Sequence, residues 1–153
     1  MNQQALQAEE ALAQVLGWTD VKHVAVGTST RLRGIPPASV TGTSDQEPHK
    51  RAAQWVPRWT ADDRAAFKLM GTYLAGYYET RRGDPDHCIV IGNDTAKTTV
   101  VYVRHHRHIR TALRFAIVEA VTAELRARSR RRPAAHVVAS VTGQSASAAA
   151  AHV

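Results

Sequence analysis

The sequence predicts an α+β protein in which a small antiparallel sheet lies between helices, an α-β-α layered sandwich. Three observations carry that reading. Apolar residues recur at helical spacing in three separate stretches, and two β-branched runs are joined by a short polar turn. The order along the 153 residues is helix, strand region, helix, hairpin, helix, which suits helices stacked on an antiparallel sheet.

Ala5, Ala8, Leu12, Val15 and Leu16 form the first apolar stripe. Gly17 stands where such a helix stops, because glycine takes the left-handed conformation without penalty, and Trp18 is expected to fold back on the stripe. Val21 to Val26 reads as a short strand. From Gly27 to Ala53 the chain is rich in Gly, Pro, Ser and Thr and reads as a long loop, with a short strand near Thr30 to Ile35 left open. Thr60 followed by Asp63 is a capping pattern, and Phe67, Met70, Leu74 and Tyr77 mark the expected buried face of the second helix. TRRGDPDH is expected to end that helix.

His87 to Ile91 and Thr98 to Val103 are the two strongest strands, joined by GNDTAK into an antiparallel hairpin. The third helix is expected to start near His106 and to run through Ile109, Leu113, Ala116, Ile117, Ala120 and Val121. Pro133 follows an arginine run, and the last twenty residues are low in complexity with little to bury. The predicted organisation is one α+β domain over residues 1–128, with the loop at 27–53, and an Arg-rich helix end and disordered tail over 129–153.

Hydrophobic and charged fractions of 44% and 22% are those of a chain that buries a core. The single cysteine, Cys88, excludes an internal disulfide framework. No stretch approaches the roughly 18 apolar residues of a membrane span. The N-terminus carries acids and amides where a signal peptide carries positive charge, so a cytoplasmic location is expected. Arg126, Arg128, Arg130, Arg131 and Arg132 account for five of the seven units of net positive charge. Such a run can hold nucleic acid by neutralising phosphates, or can be a solvated helix end that complements the helix dipole.

Phosphate-loop, dinucleotide and nucleophile-elbow patterns do not occur, and no pair of acids comes with a partner for acid–base work. Cys88 lies in a strand, where cysteine behaves as a small apolar residue. No enzyme and no cofactor is therefore expected. Arg104, His105, His106, Arg107, His108 and Arg110 crowd the junction of the last strand and the third helix, where free backbone N–H groups favour anions. The histidines are too close in sequence to converge on one metal, so no metal site is expected. Trp55 and Trp59 flank Val56, Pro57 and Arg58, which suits either base stacking beside arginine or closure of a core edge.

Two segments, ALAQVLGWT (Ala11 to Thr19) and VPRWTADDRAAFKLM (Val56 to Met70), resemble the phage ABA sandwich domain family: a helix ending in Gly-Trp, and a proline-containing lead into a helix. The hairpin and the Ala-rich final helix complete a similar order over about Ala5 to Leu125. The resemblance implies a sheet between helices and a small accessory protein of viral or prophage origin, in the host cytoplasm. Phage proteins of this size include inhibitors of host immunity that sequester cyclic-nucleotide signals.

The leading expectation is therefore an anti-defence sponge, a homo-oligomer binding a small phosphorylated ligand. Arg104, His106, Arg107 and Arg110 would hold phosphates, with Arg58, Trp18 or Trp59 near a base. The second expectation is a DNA- or RNA-binding accessory protein using Arg126, Arg128, Arg130, Arg131 and Arg132. The third is a virion or host-factor interaction protein.

Overall fold

The structure is a computed structural model that describes residues 3–38, 52–74, 78–81, 88–91 and 98–131. Helix α1 (Gln3–Val15) is followed by strands β1 (Thr19–Val26), β2 (Ser29–Ile35) and β3 (Gln54–Trp55). Helix α2 (Asp63–Tyr73) precedes β4 (Tyr78–Arg81), β5 (Cys88–Ile91) and β6 (Thr99–Tyr102). A 3-10 turn (Val103–His105) then leads into α3 (Ile109–Arg131). The chain is α+β, and it has two three-stranded antiparallel sheets, β1-β2-β3 and β4-β5-β6, in place of one.

Helix α3 is the centre of the molecule. It packs against α1, α2, β5 and β6, and Ala112, Ala116, Ile117, Val118 and Val121 are fully buried on it. Ile89, Ile91 and Val101 turn the inner face of the second sheet onto this helix. Leu6, Leu12 and Ala13 bring α1 into the same core. Among the described residues, no helix is long and apolar enough to cross a membrane.

The middle strand of the first sheet, β2, comes from the segment read as loop, while β1 covers the expected strand Val21 to Val26. Gly27 and Thr28 form a two-residue connection between Val26 and Ser29, and Gly27 has the positive φ, +58°, that the first central position of such hairpins often takes. In β2 the apolar residue Leu32 and the small Gly34 point inward while Arg31 and Arg33 point outward. Ser, Thr, Arg and Gly thus disguise a regular alternation. The rest of the expected loop, residues 39–51, lies outside the described residues, as do GNDTAK, residues 82–87 of the turn after β4, Tyr77 and the tail from Arg132 onward.

The second helix differs from its expected form in three ways. Its cap is Asp62, whose carboxylate accepts from the N–H groups of Arg64 (2.8 Å) and Ala65 (3.3 Å), a contribution of about 1 kcal/mol. Thr60 is bound elsewhere. Ala66 and Leu69 face the core, whereas Phe67 is exposed and meets Tyr78 at 6.4 Å between ring centres. The helix stops at Tyr73, and Tyr78 to Arg81 pair with β5 as a strand. The third helix begins at Ile109, three residues later than expected, because a 3-10 turn occupies the start of the His/Arg cluster.

Candidate functional site

The end of α1 sets the first wall of the site. Gly17 at φ +89° lets its N–H reach Gln14 O (3.0 Å), and the Trp18 N–H reaches Ala13 O (3.0 Å). This Schellman pair satisfies the last carbonyls of the helix and turns the Trp18 indole inward. Trp18 is buried, and so is Trp59 from the lead into α2. The two indoles line one cavity of about 400 Å³, closed on the α2 side by Leu69, Tyr73 and Lys68. Lys68 is exposed and brings the cavity's cationic side chain. Nearby, Arg128 donates to Tyr73 O (3.1 Å) and to Glu124 (2.7 Å).

Trp59 is fixed by a buried clamp on its neighbour Thr60. The Thr60 N–H (2.9 Å) and hydroxyl (2.6 Å) both donate to Oε1 of Glu9 on α1. From the other side, Arg114 on α3 donates to Thr60 O (2.9 Å) and pairs with Asp63 (2.5 Å). Burial raises the Glu9 pKa above its ordinary 4.5, against the Thr60 hydrogen bonds and the charges of Arg58 and Arg31, which act to lower it. One carboxylate and one guanidinium thus tie α1, the start of α2 and α3 together next to Trp59.

Three of the four side chains expected to form a phosphate cradle have partners of their own. The Arg104 guanidinium lies 4.9 Å from the Tyr102 ring centre, and its Nε approaches His105 Nε2 at 3.4 Å. His106 packs on Phe115 at 4.9 Å, and Arg110 is drawn to Asp63 at 4.0 Å while remaining largely exposed. Arg107 is exposed at the same junction. None of the four lines the tryptophan cavity; Arg110 lines a different hollow with Phe67, Tyr78 and Leu113. The arginine run continues α3, with Arg126, Arg130 and Arg131 exposed on its last turns. Arg132 lies outside the described residues.

His106 provides a pH-dependent readout of the junction. Burial against Phe115, and secondarily the charge of His105, lower its pKa below 6.5. The unfolded chain therefore takes up this proton first as the pH falls. The stability that neutral His106 contributes is present above 6.5 and is lost as the pH falls through the folded-state value. His106→Gln is expected to flatten that part of the curve of denaturation midpoint against pH. A curve unchanged in shape would refute the burial of a neutral ring.

Sequence reasoning brought Trp18 and Trp59 forward, and they share one cavity. It missed Glu9, Lys68 and Arg114, and it missed Arg31 and Arg33. A signal for Glu9 existed: with Leu6 and Ala13 it falls at helical spacing on the buried face of α1. Trp55, treated together with Trp59, differs sharply from it. Trp55 is 41% exposed, with the guanidinium carbons of Arg31 and Arg33 at 4.7 and 5.9 Å from its ring. Compared with known protein families, curated proteins and solved structures, the chain matches none.

Proposed function

We propose that this protein is a non-catalytic binder of a small, aromatic, phosphorylated ligand, with the ligand ring held between Trp18 and Trp59. The observation that carries the reading is the cavity itself. Two indoles, the Tyr73 ring and Leu69 offer a flat π-bearing ring large apolar contact, and about 400 Å³ lies within the size range of small-ligand sites. Lys68 offers a charge-assisted contact to a phosphate. In this reading Lys68 takes the phosphate role that the sequence had given to Arg104, His106, Arg107 and Arg110.

A nucleotide combines both chemistries in one molecule. The resemblance to the phage ABA sandwich domain adds a context in which such binding serves sequestration of a cyclic-nucleotide signal by a homo-oligomer in the host cytoplasm. Native mass spectrometry before and after heat denaturation is expected to release a stoichiometric nucleotide. Titration of tryptophan fluorescence with cyclic and linear nucleotides then gives affinities. Lys68→Glu is expected to weaken binding by at least about tenfold, the loss of one hydrogen bond to a charged group, without moving the melting temperature. Equal affinity in that variant would remove the phosphate from this cavity.

Nucleic acid on α3 is the second reading, favoured by Arg126, Arg130 and Arg131 on helix turns whose last turn is basic. It requires an affinity that falls steeply with salt.

A further inference from the structure

A second surface, independent of the cavity, lies on the outer face of the first sheet. Residues paired across antiparallel strands share a face. The register pairs Lys22 with Arg33, Val24 with Arg31, and Arg33 with Trp55. Lys22, Arg31, Arg33 and Trp55 therefore stand on one side of the sheet, opposite the buried Leu32 and Gly34. The pattern continues into the next residue, since Val56 is buried and its N–H donates to Leu32 O (3.0 Å). The core thus takes Val56 and leaves the Trp55 indole outside.

The Trp55 indole is 41% exposed on this basic face. It is also held in place. The Arg31 guanidinium carbon lies 4.7 Å from the ring centre, and that of Arg33 lies 5.9 Å away. Arg33 is further anchored by donating to Ala53 O (3.3 Å). Among the described residues, Arg31 Nε is a buried donor with no hydrogen-bond partner. A restrained aromatic ring, the half-buried Arg31, the exposed Arg33, and Lys22, which also meets Asp20 at 3.0 Å, lie on one face and are the parts of a stacking platform with a phosphate track beside it.

We propose that the outer face of the first sheet binds single-stranded nucleic acid, with a base stacked on Trp55 and the neighbouring phosphates on Arg31, Arg33 and Lys22. Stacking selects the single strand, because a duplex keeps its base faces against one another. The contacts read no base edge, so binding tolerates sequence.

The test is fluorescence anisotropy of a labelled oligothymidylate, with the same sequence in duplex form as comparator, at low and at physiological salt. The wild-type protein is expected to prefer the single strand. Trp55→Ala is expected to weaken that binding by about 5- to 150-fold, the range that one base–aromatic stack supplies, and Trp55→Phe to retain most of it. Arg33→Ala is expected to reduce the slope of log affinity against log salt by roughly 0.7, one phosphate contact on a single strand. Should Trp55→Ala melt early, Trp55→Phe and the Arg33→Ala slope decide the matter. Lys68→Glu leaves this binding unchanged, which separates the two sites. Three results would overturn the assignment: no binding of the single strand, equal binding of the duplex, or an affinity that survives Trp55→Ala but falls when Arg126 and Arg130 are replaced by Ala.

Discussion

Ile117→Ala is expected to lower the stability of the protein by about 2–5 kcal/mol, the largest effect of any single truncation considered for this fold. Ile117 is fully buried at the middle of α3, the helix on which α1, α2 and the second sheet all pack. Removing its outer carbons takes away contacts on several sides at once. For a chain of this length the melting temperature should fall by roughly 5–20 °C. Phe67→Ala is the matched control. Phe67 is a larger side chain in a neighbouring helix, yet it is 39% exposed and absent from the core cluster. Its truncation is expected to cost far less. If the two variants melted together, α3 would not be the centre of the core.

Glu9→Ala is expected to cost about 2–4 kcal/mol, because it strips a buried N–H and a buried hydroxyl of their shared acceptor. Glu9 is itself only 2% exposed, so water does not readily replace the carboxylate. The damage should extend to the cavity, since Thr60 adjoins Trp59, and indole fluorescence would report it as a red shift. A double-mutant cycle with Thr60→Val isolates the pair; a coupling near zero would sink the clamp.

Glu9→Gln separates charge from hydrogen bonding. In the folded protein the Glu9 pKa is raised above 4.5, so the folded state holds this proton more tightly than the unfolded chain. The contribution is fully present below 4.5 and is lost as the pH rises through the folded-state value. Wild type should therefore gain on Glu9→Gln as the pH is lowered through that window, by chemical denaturation of both proteins in parallel. A difference that does not change with pH would refute the desolvation of this carboxyl. The sign is opposite to that of His106, and the two windows do not start from the same ordinary value.

The first helix was legible because its stop is written locally. Gly17 supplies a left-handed conformation, and the bonds it permits run only three to five residues back along the chain. The hairpin of β5 and β6 and the long apolar repeat of α3 were legible for the same reason: strand alternation and helical spacing are properties of neighbours in sequence. Together they determined the α+β class. Gly27 and the alternation in β2 carried a second hairpin too, but Ser, Thr, Arg and Gly in inward and outward positions lowered the contrast on which periodicity depends.

What only the tertiary structure decided was which face of each element meets which partner. Phe67 and Leu69 are both apolar and both helical, and the choice of Leu69 for the core depends on where α3 lies. Trp55 and Trp59 stand four residues apart in similar company, yet one is displayed between arginines and the other buried. The difference arises because β3 pairs with β2 while Thr60 is gripped by Glu9, fifty-one residues earlier. Arginines and histidines at positions 104–110 looked like one cluster because they are consecutive. In space Arg104 lies over Tyr102, His106 packs on Phe115 and Arg110 reaches toward Asp63. Sequence spacing reports conformation within an element, but a site is made by contacts between elements, and those depend on the packing of the whole chain.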